Sequence, residues 1–354
     1  MKQQDIIVIG IIGAGMIAEK HIVGLQKTNR VVVKWVARND PSKLDAFQRK
    51  FSISNGTTDY HEILTDEEVQ AVVITAPPHL HYQLFVDSVL AGKHILLEKP
   101  AAIKQSQIQE MAKITEAHPE LHIMDCSVRH SRLQPKFKKV KEIIDSGKLG
   151  KIYFIHHNAV TRQSRPGIEY HPEAKWFLNR AKAGGGPLFD WGVYDLSFHL
   201  GLLNNEVEVE SANLLFMKNG LDCKNQGADL FDVEEHFAAQ LSLTDGVKYY
   251  WERSSNANME AKNETRIYGT HGGLKLAFCS WEDPTIDFFD VENEGKGPAR
   301  KETISIDLAG HDDNDALSAH FVDVLLGKEK TALPLSKAFK YLDVIFKLYD
   351  QAKT

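Results

Sequence analysis

A glycine-rich segment near the start of the chain has the residue types and spacing needed to hold a pyrophosphate. The apolar run Ile6 to Ile9 leads into a Gly-x-Gly-x-x-Ala pattern at residues 13–18. A strand that ends in such a loop and opens a helix brings unpaired backbone N–H groups to a phosphate, and the glycines leave room for it. The residues expected to contact a dinucleotide here are Gly13, Gly15, Met16 and Ile17.

The second predicted strand ends at Arg38, where NAD-binding domains usually offer a carboxylate to the adenosine ribose. A guanidinium at this position can pair with a 2′-phosphate, which favours NADP as the cofactor and keeps NAD as the other possibility. The alternative is a solvated arginine, with Asp40 serving the ribose after a short shift of register.

A lysine stands where open α/β sheets place their ligands. Lys99 follows the apolar strand segment 94–97 and Glu98, and Pro100 closes the strand. To accept a proton the amine must be neutral, so its ordinary pKa of ~10.4 would have to be lowered by burial or by nearby positive charge. A charged lysine can instead donate a hydrogen bond to a substrate oxygen. An exposed lysine in a turn before a proline is the third possibility.

An irregular segment between a strand that ends near Thr161 and the glycines 184–186 carries candidate ligands for a substrate. Loops over the end of a sheet often determine specificity. Aromatic faces and bidentate donors suit a polyhydroxylated or carboxylated ligand, so a sugar acid stays possible. The candidates are Arg162, Arg165 and Tyr170 for the substrate and Trp176 for the cofactor.

Composition excludes several classes of function. The 354 residues are 43% hydrophobic and 25% charged, and a net charge of −6 gives no reason to expect nucleic acid or an anionic membrane as partner. No apolar run is long enough to span a membrane. Three widely spaced cysteines favour a reduced, cytoplasmic protein. The pairs His79 with His81 and His156 with His157 lack suitable companions, so we expect no metal.

Two arrangements of predicted strands and helices position these residues. Up to residue 128, apolar strands alternate with helices, as in a doubly wound parallel sheet. Later, after a helix predicted from about Val193 to Leu203, strand follows strand, which indicates a mostly antiparallel sheet. The predicted fold class is α/β, with a Rossmann dinucleotide-binding domain over residues 1–128. Residues 129–354 are predicted to form an α+β domain with a large open sheet for substrate binding and oligomerisation.

Four motifs occur in the order seen in the Gfo/Idh/MocA oxidoreductase family, which the chain resembles over nearly its whole length. They are the glycine-rich loop, Thr75 to His81, Gly92 to Pro100 with its Glu-Lys-Pro ending, and a Gly-Gly-Gly-x-x-x-Asp-x-Gly-x-Tyr pattern at residues 184–194. The resemblance implies a nicotinamide-dependent dehydrogenase or reductase that acts on a sugar, sugar derivative or cyclic polyol. It also implies a homodimer or homotetramer formed through the C-terminal sheet.

The resemblance assigns roles to individual residues as well. It implies that Lys99 lies near the nicotinamide and the reacting oxygen, and it matches Asp190 and Tyr194 to an aspartate and a histidine of the family. Because a phenol can give a proton to a carbonyl oxygen beside an ammonium, we predict Tyr194 as general acid/base and Lys99 as its electrostatic partner. Asp190 is predicted to accept a hydrogen bond from a substrate hydroxyl. Further cofactor contacts expected from the resemblance are Ala76, Pro77, His81, Glu98 and Lys99.

Alternatives stay open for these residues and for the whole chain. Tyr194 could pack at the start of its helix, Asp190 could cap that helix, and His81 could be a satisfied histidine at a helix start. Some relatives retain NAD and use transient oxidation to cleave glycosides or to epimerise. A sensor that binds a dinucleotide without catalysis is the third class, but it need not keep Lys99, Asp190 and Tyr194.

Overall fold

Six parallel strands form the first sheet of the protein. The computed structural model describes residues 6–162, 164–168, 170–203, 208–217, 231–259, 263–279, 281–291 and 297–352. The strands are β1 (Ile7–Ile12), β2 (Val31–Ala37), β3 (Asn55–Thr57), β4 (Ala71–Ile74), β5 (His94–Leu97) and β6 (Ile123–Asp125). Their order in the sheet is β3-β2-β1-β4-β5-β6, and every pair is parallel. The predicted doubly wound sheet is therefore confirmed.

The helices that connect these strands follow the predicted alternation. They are α1 (Met16–Lys27), α2 (Pro41–Phe51), α3 (His61–Thr65), α4 (Pro78–Leu90) and α5 (Gln105–Ala117), with a 3-10 turn at Cys126–Val128. The strand order reverses between β1 and β4, so the loops after these two strands flank the point where such sheets bind ligands. The short elements β3 and α3 were not predicted, since three and five residues give too little periodicity to detect.

Eight strands form the second sheet, and its mostly antiparallel character is also confirmed. The strands are β7 (Ile152–Val160), β8 (Val209–Met217), β9 (His236–Leu243), β10 (Lys248–Ser254), β11 (Glu264–Gly269), β12 (Gly272–Leu276), β13 (Thr285–Val291) and β14 (Ala299–Ser305). The order is β14-β13-β12-β11-β7-β10-β9-β8, with one parallel pair between β7 and β10. The start predicted for β8 at Val207 lies outside the described residues.

One long buried helix packs against this sheet. The helices are α6 (Pro135–Asp145), a 3-10 turn at Lys175–Leu178, α7 (Arg180–Ala183), α8 (Pro187–Leu202), α9 (Asp313–Leu325) and α10 (Leu335–Gln351). Fourteen residues of α8 are buried, which matches its near-continuous apolar sequence. The start of α8 was wrong in the sequence analysis, because the helix begins at Pro187 and not at Val193.

Contacts divide the chain into two compact units. The first contains residues up to Arg129 together with His311–Asp343, and the second contains His130–Gly310 and residues from Val344 onward. Helix α9 joins the first unit because it packs closely on α1: a Cβ added at Gly24 would lie 2.5 Å from Oγ of Ser318. The predicted domains were continuous segments with a boundary at residue 128, and they assigned α9 to the second domain.

Two smaller expectations concern cysteines and membranes. Cys126 and Cys279 are buried and not disulfide-bonded, whereas Cys223 lies outside the described residues. None of the helices in the described ranges combines the length and the apolar character that crossing a bilayer requires.

Candidate active site

The loop after β1 has the shape needed for a pyrophosphate. Gly13 has a φ of +106°, and a Cβ there would lie 2.5 Å from the backbone nitrogen of Ala76 in the loop after β4. At Gly15 a Cβ would meet no heavy atom of the described residues within 4 Å. Gly15 is the N-cap of α1, and its end of the helix receives no side-chain cap. The space at Gly15 and the N–H groups of α1 therefore fit a dinucleotide.

The two glycines should respond differently to the same substitution. We expect Gly15→Ala to keep the wild-type thermal midpoint and to bind dinucleotide at least about tenfold more weakly, since its methyl group would occupy the phosphate space. Gly13→Ala should lower the midpoint as well, because its methyl group meets backbone atoms at a strained φ. Fluorescence titration with NADPH and thermal unfolding without cofactor measure both effects. Unchanged affinity in Gly15→Ala would place the pyrophosphate elsewhere.

Arg38 lies against the glycine-rich loop, and its Nη1 donates a hydrogen bond to the carbonyl oxygen of Ala14. Asp40 caps α2 instead: its Oδ1 accepts the backbone N–H groups of Ser42 and Lys43 at 3.1 and 3.2 Å, and the Ser42 hydroxyl at 2.7 Å. The Ser42 hydroxyl and the Lys43 amide lower the pKa of Asp40. Because this carboxylate already serves the helix, the alternative in which Asp40 holds the ribose loses support.

The other predicted cofactor contacts of the first unit lie at the N-terminal ends of α1 and α4. Met16 is the first residue of α1 and is 50% exposed, and Ile17 follows it. Pro77 is the N-cap of α4, and Ala76 precedes it in the loop that approaches Gly13. The structure therefore brings these four residues to the loops after β1 and β4, as the sequence analysis expected.

His81 connects two loops through its ring. Its Nδ1 lies 2.8 Å from the carbonyl oxygen of Pro100, and its Nε2 lies 2.6 Å from that of Ala76. Burial lowers the pKa of His81, and the two carbonyl oxygens offset part of that effect. In the neutral ring only one nitrogen carries a proton, so His81 donates to one of these carbonyl oxygens while its ring lies between the loop after β4 and the segment after β5. This geometry favours the alternative in which His81 is a satisfied histidine at a helix start.

Lys99 follows β5 directly and is half-buried. Its backbone N–H donates to Oε2 of Glu98 at 3.1 Å, and its peptide bond to Pro100 is cis. Because β5 is parallel to its neighbour β4, the carboxyl ends of both strands meet at one edge of the sheet. Lys99 thus lies at the ligand-binding edge that its position in the sequence predicts.

Glu98 is an internal ion-pair partner in the structure. It is 5% exposed, and its Oε1 accepts hydrogen bonds from Nη1 of Arg129 and, at 2.8 Å, from Nε2 of His21. Burial raises the pKa of Glu98, but the charge of Arg129 and the hydrogen bond from His21 more than offset this and hold it well below its usual range. The Glu98 carboxylate therefore orients the backbone of Lys99, and its contact with the cofactor stays a prediction.

The side chains around Glu98 include types that can bind a metal ion. Ligand-type atoms of His21, Glu98 and Cys126 all lie within 4.8 Å of one another in the described residues. The guanidinium of Arg129 already neutralises the carboxylate, and burial raises the pKa of the Cys126 thiol well above its usual value. A positive charge and a neutral thiol both oppose cation binding. We interpret the cluster as an ion-pair network that supports the Lys99 segment.

Helix α8 carries both Asp190 and Tyr194. Its N-terminus is capped by a distant side chain, since Oε2 and Oε1 of Glu234 accept the N–H groups of Gly186 and Leu188 at 2.8 and 3.1 Å. The hydroxyl of Tyr349 donates to Glu234 at 2.7 Å. Asp190 lies inside the first turn, so the alternative in which it caps the helix is wrong. Its carboxylate is half-buried near the start of the helix.

Tyr194 lies in the middle of α8 and packs on Trp191 of the same helix, so the alternative in which it is a packing residue stays open. The ring is 1% exposed. Its centroid lies 4.9 Å from that of His130 and 5.5 Å from that of Trp191. A catalytic role for the phenol requires a substrate to reach this enclosed ring.

The loop candidates are distributed over several environments. Arg165 is 1% exposed, its Nη2 donates to the carbonyl oxygen of Phe177, and its Nε and Nη1 have no hydrogen-bond partner among the described residues. Burial lowers the pKa of Arg165, and the carboxylates of Asp190 and Glu234 offset part of that effect. The structure thus brings Arg165 near Asp190.

The other loop candidates are more exposed than Arg165. Arg162 is exposed and donates to the side chain of Asn258. Tyr170 is 49% exposed and packs edge-on against His171. Trp176 is half-buried and stacks on Phe177 with a centroid separation of 3.8 Å. The ligand contacts of these three residues stay predictions.

Family comparison decides what kind of protein this site belongs to. Residues 7–125 match the family described as an oxidoreductase family with an NAD-binding Rossmann fold, and residues 137–275 match the GFO/IDH/MocA C-terminal domain. The chain belongs to the Gfo/Idh/MocA family of oxidoreductases. The predicted membership of this NAD(P)-dependent family is confirmed.

Individual relatives of this Gfo/Idh/MocA chain are distant. An uncharacterized oxidoreductase of Rhizobium meliloti is 30% identical over 196 residues, which are 54% of this chain and 55% of that protein. A D-xylose 1-dehydrogenase of Haloarcula marismortui, named for NADP(+), is 23% identical over 84% of this chain and 76% of its own length. A solved levoglucosan dehydrogenase in complex with NADH and levoglucosan is similar in fold, with a TM-score of 0.83, 18% identity and coverage of 98% and 97% of the two chains.

A buried ion pair at Asp195, the residue after the candidate tyrosine of this Gfo/Idh/MocA chain, was not predicted from the sequence. Asp195 is fully buried, and its carboxylate accepts hydrogen bonds from Arg253 at 2.6 and 2.8 Å and from Nε1 of Trp251 at 2.8 Å. Trp251 and Arg253 both lie on β10. Residues two apart on a strand share one face, and this face is the one that packs on α8.

Proposed function

We propose that the protein transfers a hydride between a nicotinamide dinucleotide and a carbinol or carbonyl carbon of a sugar, sugar derivative or cyclic polyol. The observation that carries the proposal is the family match over both parts of the chain, together with Lys99 at the ligand-binding edge of the first sheet. The D-xylose and levoglucosan dehydrogenases among the relatives support the substrate class. Because these relatives are named as dehydrogenases, they favour an enzyme that carries out net hydride transfer over a glycosidase, an epimerase or a sensor.

Residues of this chain would bind the cofactor and the substrate and would transfer the proton. The loop at Gly13 and Gly15 would hold the pyrophosphate, and the bound nicotinamide would supply the hydride acceptor or donor. Tyr194 would give a proton to the reacting oxygen or take one from it. Lys99 would donate a hydrogen bond to that oxygen and stabilise negative charge on it. Asp190, near Arg165, would accept a hydrogen bond from a neighbouring hydroxyl of the substrate.

NADP is the cofactor that the residues near the glycine-rich loop favour. The guanidinium of Arg38 lies at the loop through its bond to Ala14, whereas the carboxylate of Asp40 is committed to α2. A cation at this position attracts a 2′-phosphate. The carboxylate of Asp40 is occupied by α2 and does not compete for the ribose. The relative named for NADP(+) supports this choice, although a structural neighbour holds NADH.

One experiment tests the activity and the cofactor together. Hydride transfer is followed by cofactor absorbance with NADP and NAD on D-glucose, D-xylose, myo-inositol, levoglucosan and D-glucuronate. We expect turnover of at least one neutral sugar or polyol and a kcat/KM that favours NADP. Arg38→Asp should reduce the preference for NADP by about tenfold or more, since it replaces an attraction by a repulsion. An NAD preference that Arg38→Asp leaves unchanged would contradict the cofactor assignment.

We also propose that the open sheet forms the interface of a homodimer or homotetramer in a reducing, cytoplasmic setting. Its outer face carries the stacked pairs Phe154 with Tyr268 and His156 with Tyr250, and Leu215 there is 69% exposed. An apolar and aromatic face of this kind suits a second copy of the chain. The buried thiols Cys126 and Cys279 are compatible with a reducing compartment.

A further inference from the structure

Four aromatic side chains of the second unit form a continuous cluster that begins at Tyr194. We call His130, Trp191, Tyr194 and Trp281 the aromatic cluster. The ring centroid of His130 lies 4.9 Å from that of Tyr194 and 4.9 Å from that of Trp281. Trp191 lies 5.9 Å from His130 and 5.5 Å from Tyr194. His130 therefore connects the candidate acid/base to Trp281, a residue that sequence reasoning did not identify.

Exposure changes steeply across the aromatic cluster. Tyr194 is 1% exposed, His130 and Trp191 are half-buried, and Trp281 is 59% exposed. A tryptophan presents the largest apolar face of any side chain, and burying it releases more free energy than burying any smaller ring. Trp281 therefore has more than half of its surface accessible to a ligand.

The loop that presents Trp281 is held by a buried lysine. Lys136 is fully buried on α6, and its Nζ donates to the carbonyl oxygens of Ala277, Cys279 and Asp283 at 2.8, 3.0 and 2.6 Å. These three bonds satisfy every N–H of the ammonium group, which makes its burial tolerable. They also fix the backbone on both sides of Trp281.

Three further contacts hold the same loop. Phe278 is 1% exposed, and its ring lies 5.2 Å from that of Phe198 on α8. The backbone N–H of Glu282 donates to the carbonyl oxygen of Cys279 at 3.2 Å, and Asn263 donates to the Glu282 carboxylate at 2.8 Å. An exposed tryptophan on a loop fixed in this way is preorganised, so a ligand that packs on it would order little additional structure.

We propose that Trp281 is a stacking platform for the substrate and that it selects neutral sugars or cyclic polyols with equatorial hydroxyl groups. Such rings expose axial C–H groups on a flat face, which packs on indole. The carboxylate of the adjacent Glu282 is exposed, so its second oxygen can accept a hydrogen bond from a ring hydroxyl, and its charge would repel a sugar acid. This choice of substrate class rests on the proposed function, and it decides against the sugar acid that the arginines of the loop left possible.

The test separates binding from catalysis. Trp281→Leu removes the aromatic face at an exposed position, so folding should persist. With the intact chain saturated with NADP, we expect KM for D-glucose or D-xylose to rise about tenfold and kcat to change less than about twofold. Trp281→Phe should restore part of the loss. Tyr153→Leu, which removes an aromatic ring of similar exposure at 49%, is the matched control and should leave KM unchanged.

Saturation-transfer NMR gives a readout that does not depend on turnover. Wild-type protein with NADP should transfer magnetisation mainly to the axial C–H groups on one face of D-glucose, and Trp281→Leu should lose that pattern. D-glucuronate should bind more weakly than D-glucose to the wild type. A wild-type KM and NMR pattern in Trp281→Leu, or no binding of any neutral sugar to the wild type, would overturn the platform. Binding that depends on Trp281 without hydride transfer would instead contradict the proposed function alone.

Discussion

Tyr194→Phe should lower kcat by about 10²- to 10⁴-fold, the usual contribution of a general acid or base, and leave NADP affinity unchanged. The substitution removes the hydroxyl but keeps the ring that packs against His130 and Trp191. Any loss therefore reports on the proton and not on the shape of the aromatic cluster. Single-turnover kinetics with the best sugar of the panel, together with an NADPH titration, measure the two quantities separately.

The control for Tyr194→Phe is a tyrosine hydroxyl remote from the proposed chemistry. Tyr82→Phe removes a hydroxyl that donates to the exposed Glu110 at 2.7 Å, and it should keep wild-type kcat. Lys99→Met should also lower kcat. If the two groups stabilise one developing charge, the Tyr194→Phe, Lys99→Met double variant should lose less than the product of the single losses. A kcat within twofold of wild type in Tyr194→Phe would refute the assignment.

Much of the fold follows from local sequence patterns. Strand β4 (Ala71–Ile74) is fully buried, and such strands in parallel sheets are continuous apolar runs that can be read directly. Helix α1 (Met16–Lys27) begins where the glycine-rich loop predicts that a helix opens. Gly13 and Lys99 were found for the same reason, because both lie at the ends of easily recognised strands.

Interactions between distant segments account for what the sequence did not predict. The N-terminus of α8 is capped by Glu234, which lies 46 and 48 residues from the amides that it binds, so no local capping signal marks Pro187. The loop that presents Trp281 depends on Lys136, whose bonds span 141, 143 and 147 residues. Local patterns do not record such pairings, so the start of α8 and the exposed tryptophan required three-dimensional coordinates.

Asp195→Ala should destabilise the protein by about 3–5 kcal/mol, which is the usual cost of leaving one partner of a buried ion pair alone. Arg253 is 7% exposed, and its guanidinium packs 4.8 Å above the ring of Trp191, so water cannot readily replace the lost carboxylate. Since Asp195 joins α8 to β10, the loss should appear in unfolding of the second unit. We expect the thermal midpoint to fall by roughly 10 °C.

Two comparisons identify the unpaired charge as the cause. Asp290→Asn breaks an ion pair with Arg300 whose side chain is 59% exposed, and it should leave the thermal midpoint unchanged because exposed pairs contribute little. The double variant Asp195→Leu, Arg253→Met should recover most of the loss, since it removes both charges and keeps apolar volume. A double variant as unstable as Asp195→Ala would mean that packing, and not charge, causes the loss.

The ion pair between Asp195 and Arg253 should also determine how the stability of the protein changes in acid. Burial raises the pKa of Asp195, but Arg253 and His157 lower it by more, so the folded-state pKa lies below the ordinary value of about 3.9. A carboxyl with a lowered pKa stabilises the folded state fully above its unfolded pKa and loses that contribution as pH falls toward the folded one. Wild-type midpoints should therefore fall from about pH 5 to pH 2, and those of Asp195→Asn should fall less. The difference between the two proteins should narrow with acidification, and a constant difference over this range would show that the Asp195 charge does not stabilise the fold.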